Sequence, residues 1–424
     1  MGNITKETPL HGWHEAGGAR MSVFGGYDMP LWYPSGAKRE HLTVITNAGL
    51  FDTSHMALVE ISGPDAFDLL QVCFTKDLTA CIGKKRTPIE SGRCVYGAYL
   101  NEEGEVIDDT IIAQMDDRLY LSVVNAGMGA TVTRHLRNHA GEYDVAITDL
   151  SDRVGKVDIQ GPQSARIMAQ VLKSPERVFE GMPYFSFKGH FDRQSPLSQD
   201  VRLRDDTPLL LSRTGYTGEF GFELFVDPRD LVTLWETLLE AGDAFGLIPC
   251  GLAARDSLRA GAKLPLSHQD IGAWPFCNNP WTFALPYDLR GRTFTKQFIG
   301  DEALRAHAGS AHTYAYAGYD LRKVSTGDPA FVSDSRGQDI GTVLTSVTDM
   351  AIGRSGSRIY SIASPEQPEQ FQIRGLSCGF IKVDRELTPG ETVELKDNKR
   401  TITVEIRDDI RPDRTARRSI QSML

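Results

Sequence analysis

The stretch from Val95 to Val124 constrains this chain more than any other. Three β-rich runs, 95–100, 106–115 and 119–124, are separated by the turn segments Asn101-Glu102-Glu103-Gly104 and Asp116-Asp117-Arg118. Short runs of this kind joined by tight turns read as an antiparallel meander, one face of which must be buried. In the middle run a period of two places Ile107, Asp109, Ile111 and Ala113 on one face, and Asp108, Thr110 and Ile112 on the other. Asp109 is therefore a carboxylate among aliphatic neighbours, where a charge is costly unless donors or a cationic ligand compensate it. It is either a site residue or a solvated acid of an edge strand, and Asp108 is the less interesting of the pair.

A second hairpin follows the same logic. It runs from Leu209-Leu210-Leu211 through Thr214-Gly215-Tyr216-Thr217-Gly218 into Phe220-Gly221-Phe222-Glu223-Leu224-Phe225-Val226. Glu223 is the one ionisable residue of its strand. A buried carboxylate offers two acceptors side by side, which complements an N–H/NH₂ edge such as that of a pterin or guanine. The other reading is an ion pair with a nearby lysine or arginine. Asp227-Pro228 then opens a helix carrying Leu231, Leu234, Trp235, Leu238 and Leu239 on one side.

Two segments, Val59-Glu60-Ile61-Ser62-Gly63-Pro64 and Val157-Asp158-Ile159-Gln160-Gly161-Pro162, each read as a strand, a Gly-Pro break and a helix start. They suggest two similar α+β units in the first two-thirds of the chain. Beyond about residue 293, apart from a helix near 300–308, short β-like runs at 313–321, 341–346, 392–395 and 401–406 predict a small barrel or sandwich. The segment 361–370 reads as a surface loop, and the basic run 411–418 as a frayed or docked tail.

With 424 residues, two or three domains are expected at roughly 150 residues each. A formal charge of −10, from 46 Lys and Arg against 56 Asp and Glu, argues against an electrostatic nucleic-acid partner. No run reaches the ~18 apolar residues of a membrane-spanning helix. The first seven residues have no apolar signal core, and Lys6 stands where a myristoylation pattern needs Ser or Thr. A cytoplasmic protein without membrane association is the expectation. Six scattered cysteines and ten histidines form no CxxC, no HExxH and no zinc-type spacing, so no metal is expected. A Gly-x-Ser-x-Gly elbow and a phosphate-binding glycine loop are also missing from the sequence. His55 reads as a satisfied core histidine.

Taken in order, several segments resemble the aminomethyltransferase (T-protein) of the glycine cleavage system and its folate-dependent relatives. They are Ala48-Gly49-Leu50-Phe51-Asp52-Thr53-Ser54-His55-Met56, Ile107-Asp108-Asp109, Gln160-Gly161-Pro162, Thr214-Gly215-Tyr216-Thr217-Gly218-Glu219, Gly251-Leu252-Ala253-Ala254-Arg255-Asp256-Ser257-Leu258-Arg259 and Phe298-Ile299-Gly300. The resemblance covers nearly the whole chain. It implies an α+β, three-domain T-protein-like fold with a central folate-binding hole and a C-terminal β-barrel domain. Domain 1 would comprise 1–55, 152–175 and 207–290. A ferredoxin-like domain 2 would comprise 56–151 and 176–206, and domain 3 would comprise 291–424.

The resemblance further implies a catalytic Asp109 and a pterin-binding Glu223. Arg255, Tyr96, Asn125 and Met56 would make further contacts to tetrahydrofolate. The implied activity moves a one-carbon unit from the aminomethyl-lipoyl H-protein to tetrahydrofolate and releases ammonia. Two alternatives stay open on the donor side: a folate-dependent demethylase of a small methylated amine, sulfonium or ether, and a non-catalytic folate-binding assembly factor. The Lys-Gly-Cys-Tyr motif of the last branch is not found. Glu105 replaces a family glycine, and Ala260-Gly261-Ala262-Lys263 replaces the usual Leu-Glu-Ala-Gly. Residues 187–206 and 361–370 look like insertions. The resemblance places Trp274 and Trp281 around the opening through which a donor would reach the folate.

Overall fold

The computed structural model describes residues 5–306, 311–327 and 329–424. Residues 1–4, and the end of the helix expected at 300–308, lie outside the described residues. The meander forms as the turns dictate: Cys94–Leu100, Val106–Asp116 and Leu119–Val124 pair antiparallel, with Ile111 between Tyr96 and Val123. Ala57–Ser62 and Ala146–Asp149 extend it to a five-stranded sheet. Val59, Ile61, Ile112 and Tyr120 send side chains under the helices Ala66–Cys73 and Gly129–Ala140.

The second hairpin pairs Leu210–Ser212 with Gly221–Val226 inside a six-stranded central sheet. Its order is Phe187–Gly189, Leu210–Ser212, Gly221–Val226, Gly155–Gln160, Ala48–Asp52 and Leu247–Pro249; only the last pair is parallel. Val157, Ile159, Phe222 and Leu224 pack under the helices Ser164–Val171 and Leu231–Gly242. Phe187–Gly189 falls in the segment grouped above with domain 2. Its backbone hydrogen-bonds instead to Leu210–Ser212, so it is an edge of the central sheet. The two strand-Gly-Pro-helix segments take matching conformations, with φ of 130° at Gly63 and 129° at Gly161, which a side chain would disfavour.

The unclad faces of the two sheets turn toward each other. Leu58, Ala113 and Leu121 of one meet Leu210 and Phe225 of the other in a single apolar cluster. Asp109 shares its face with Ala113, and Glu223 shares its face with Phe225, so period two delivers both carboxylates to the layer between the sheets.

The C-terminal third closes a six-stranded barrel in the order His312–Gly318, Leu376–Val383, Asp339–Asp349, Phe331–Ser333, Thr392–Lys396 and Thr401–Ile406. Phe331–Ser333 and Leu376–Val383 were not expected. The latter is buried from Leu376 to Ile381, so it lacks the alternation that marks a half-buried strand. Arg411, fully buried, ties the barrel to the rest: it pairs with Asp349 at 2.7 Å, and His41 contacts the same carboxylate at 2.8 Å. The basic tail is docked, with the Thr415 hydroxyl donating to Glu219 at 2.6 Å. A side chain at Gly261 would bring its Cβ to 1.9 Å from Asp349 Oδ2, and Lys263 donates to the Asp408 carbonyl at 2.6 Å. The unusual Ala260–Lys263 stretch therefore serves this junction and does not shape the cavity mouth.

Candidate functional site

Between the two sheets, where their shared layer stops being apolar, lies a cavity of about 890 Å³. Met56, Tyr96, Asp109, Asn125, Glu223 and Arg255 all line it. Its polar groups fall into two sets on facing walls.

The meander wall carries Asp109, with Asp108 fully buried behind it. Asp109 accepts from the Tyr96 hydroxyl at 2.9 Å and from Asn125 Nδ2 at 2.9 Å. The same Nδ2 donates to Asp108 at 2.8 Å, and the Asn125 backbone N–H reaches the other Asp108 oxygen at 2.8 Å. Ser267 donates to Asp108 at 3.1 Å. Asn125 follows directly on the strand Leu119–Val124, so the end of the meander's last strand delivers the bridging amide. Asp108 is not the minor partner expected from the sequence. It is fully buried, and burial together with the charge of Asp109 pushes its carboxyl up to about 7. Burial also raises Asp109, against the hydrogen bonds from Tyr96 and Asn125. Among the described residues no lysine or arginine pairs with either acid.

The central-sheet wall is charged and compensated. Lys156 donates to Asp158 at 2.6 Å and pairs with Glu223 at 3.1 Å. Arg255, on the helix Leu252–Gly261, donates to the other Asp158 oxygen at 2.8 Å and lies over the Tyr216 ring at 5.0 Å. Burial acts to raise Asp158, but the Lys156 and Arg255 charges override it and hold the carboxyl below its ordinary value. Burial raises Glu223, with Lys156 opposing. The ion-pair reading of Glu223 holds: Lys156 contacts one oxygen of a carboxylate that also lines the cavity.

Lys156 and Asp158 were missed as site residues. In Gly155–Gln160 a period of two puts Lys156, Asp158 and Gln160 on one face of a strand that is buried throughout, and that polar face was the available signal. His55 also differs from expectation. It is 2% exposed and lines the cavity, yet its Nδ1 has no partner among the described residues, and burial lowers its pKa to about 4. Trp281 is buried against Phe380, its indole N–H donating to the Lys263 carbonyl at 2.9 Å. Trp274 lies under Lys382. Neither lines the cavity, so the aromatic frame expected from them is absent; of that stretch, Phe283 reaches the rim, close to Tyr96.

The family model described as the GCVT N-terminal domain matches residues 10–274. A curated aminomethyltransferase of Symbiobacterium thermophilum is 38% identical over 307 residues, spanning 72% of this chain and 75% of its own. One from Streptomyces avermitilis is 33% identical over 377 residues, spanning 86% and 92%. The crystal structure of the glycine cleavage system aminomethyltransferase T from Bartonella henselae superposes with a TM-score of 0.73 at 25% identity, covering 95% of this chain and 97% of that one.

Proposed function

The chain belongs to the GCVT family and is an aminomethyltransferase of the glycine cleavage type, and from that premise we propose that the cavity between its sheets binds tetrahydrofolate, with Asp109 at the reacting centre. The observation that carries this reading is the convergence on one cavity of Met56, Tyr96, Asp109, Asn125, Glu223 and Arg255, drawn from six separate stretches of chain.

The residues suit such a ligand. At about 890 Å³ the cavity falls within the roughly 300–1,000 Å³ common for small-molecule sites. His55 also lines it, its buried Nδ1 without a hydrogen-bond partner among the described residues. Tetrahydrofolate, when bound, supplies the nitrogen nucleophile that accepts the one-carbon unit. Glu223 presents paired acceptors to the pterin edge, and Lys156 fixes its rotamer and opposes the upward shift that burial gives its carboxyl. Arg255, held by Asp158, meets a carbonyl or carboxylate of the same ligand.

Asp109, Asn125 and Tyr96 hold the reacting centre in register, and Asp109 orients and accepts protons there. Asp108, bridged to Asp109 through one amide, shares the proton balance of the pair. The aminomethyl donor reaching this centre is a lipoyl arm of an H-protein, and ammonia leaves.

The test is product identity. Purified protein with tetrahydrofolate and aminomethylated H-protein should yield 5,10-methylene-tetrahydrofolate. Parallel reactions with dimethylglycine, betaine, dimethylsulfoniopropionate and methoxyarenes should yield no 5-methyl-tetrahydrofolate. Methyl product without methylene product would overturn the donor assignment.

A further inference from the structure

On the far side of the five-stranded sheet from the cavity, three metal-ligating side chains meet. Cys73 ends the helix Ala66–Cys73, while His135 and His139 sit four residues apart on the helix Gly129–Ala140, so both imidazoles fall on the side facing Cys73. One donor atom from each, a thiol sulfur and two ring nitrogens, lies within 4.8 Å of the other two. We propose that Cys73, His135 and His139 form a binding site for a divalent ion of the zinc class, clamping these two helices together.

Three observations support it. His135 is 8% exposed, and its Nε2 is buried with no hydrogen-bond partner among the described residues, although buried polar nitrogens are ordinarily satisfied. His139 Nδ1 lies 2.8 Å from the His135 carbonyl oxygen, which can only accept; Nδ1 therefore carries the proton, and Nε2 is left with its lone pair free. A ring nitrogen held by a backbone carbonyl while the other is presented is the usual arrangement behind metal-ligating histidines. Among the described residues no hydrogen bond engages the Cys73 thiol, and the residue is fully buried and free of a disulfide.

One sulfur and two imidazoles suit zinc better than magnesium or calcium, which take oxygen ligands. A tetrahedral ion at about 2.0–2.3 Å from each donor holds them roughly 3.3–3.8 Å apart, so small rotamer adjustments complete the site. Coordination would displace the Cys73 thiol proton to solvent and leave a fourth position for water at the half-exposed His139 edge. The Tyr99 ring, 6.0 Å from that of His135, links the site to the strand that also carries Tyr96. The three residues lie 62 and 4 positions apart in the chain, a spacing that no sequence motif captures.

The full-length protein, stripped with a chelator, would be dialysed against buffered Zn²⁺ and, separately, titrated with Co²⁺. One Zn²⁺ per chain should be retained at about 1 µM free ion, and the cobalt form should show tetrahedral d–d bands with a thiolate charge-transfer band. His139→Ala, at a half-exposed position, should weaken Zn²⁺ binding by about tenfold or more. Cys73→Ala should abolish the charge-transfer band. Failure of the wild type to retain stoichiometric Zn²⁺, a cobalt spectrum without thiolate character, or unchanged Zn²⁺ affinity in His139→Ala would each overturn the site. Should Cys73→Ala not fold, the wild-type spectrum and His139→Ala decide the question alone.

Discussion

Two carboxylate sites face one cavity from opposite sheets, and they are built on different principles. On the central-sheet wall Glu223 and Asp158 lie against Lys156 and Arg255, so charge is balanced by charge. On the meander wall, among the described residues, Asp108 and Asp109 are hydrogen-bonded by neutral donors, the amide of Asn125 and the hydroxyls of Tyr96 and Ser267, with no lysine or arginine and only the half-exposed His268 imidazole 3.8 Å from Asp108. The first arrangement holds Asp158 ionised and fixes the geometry of both carboxylates, which suits recognition. The second leaves burial and mutual repulsion in control, so protonation stays adjustable near neutral pH, which suits handling protons during turnover.

The largest consequence concerns the compensated wall. Lys156→Met leaves Glu223 without its cation and Asp158 with only Arg255, in a site where Lys156 is 4% exposed. Breaking a buried pair in this way costs about 3–5 kcal/mol, so a clear drop in denaturant midpoint is expected. An unchanged midpoint would mean that the charges on this wall are not coupled. On the other wall, Asp109→Asn should retain the fold while turnover falls by roughly 10²-fold or more. Steady-state rates with the aminomethyl donor would reveal it, and wild-type rates would remove Asp109 from the chemistry.

Glu223→Gln replaces one acceptor with a donor toward the N–H edge of the proposed pterin ligand. The expected loss is about 2 kcal/mol, read as a KM for tetrahydrofolate raised roughly 30-fold with kcat at saturation little changed. A fall in kcat alone would blur the distinction between the walls. The smallest effect is in pH dependence. Asp108 titrates at about 7 in the folded protein, above the ~3.9 of an unfolded chain, so the folded state binds the extra proton between these values. Its stabilising contribution is complete below about pH 4 and is lost as pH rises toward 7, at no more than about 1.4 kcal/mol per pH unit. Thermal unfolding of the wild type between pH 5 and 7 should show this decline, and Asp108→Asn should flatten it.

The two walls also differed in how far the sequence exposed them. Asp109 and Glu223 were legible because each is a lone charge on the apolar face of a short strand. Lys156 and Asp158 carried a comparable signal, three polar residues alternating through Gly155–Gln160, but the segment was read as half of a repeat and, at Gln160, as part of the family pattern, not as a polar face. Asp108 was undervalued because period two separates faces without saying which is drier, and here its face lies beneath two helices. Tyr96, Asn125, Met56 and Arg255 came from family resemblance alone; their convergence depends on packing between distant segments. The barrel was legible as a class from its turn spacing, while Leu376–Val383, buried along nearly its whole length, gave no alternation to read.

The division between a binding wall and a reacting wall is tested most directly by calorimetric titration of tetrahydrofolate into Asp109→Asn. The account predicts an affinity within about threefold of the wild type, because the charged contacts proposed for the ligand, Glu223 and Arg255, lie on the opposite wall and Tyr96 and Asn125 remain in place. A loss of about 30-fold or more, matching that expected for Glu223→Gln, would contradict it by making Asp109 a binding residue.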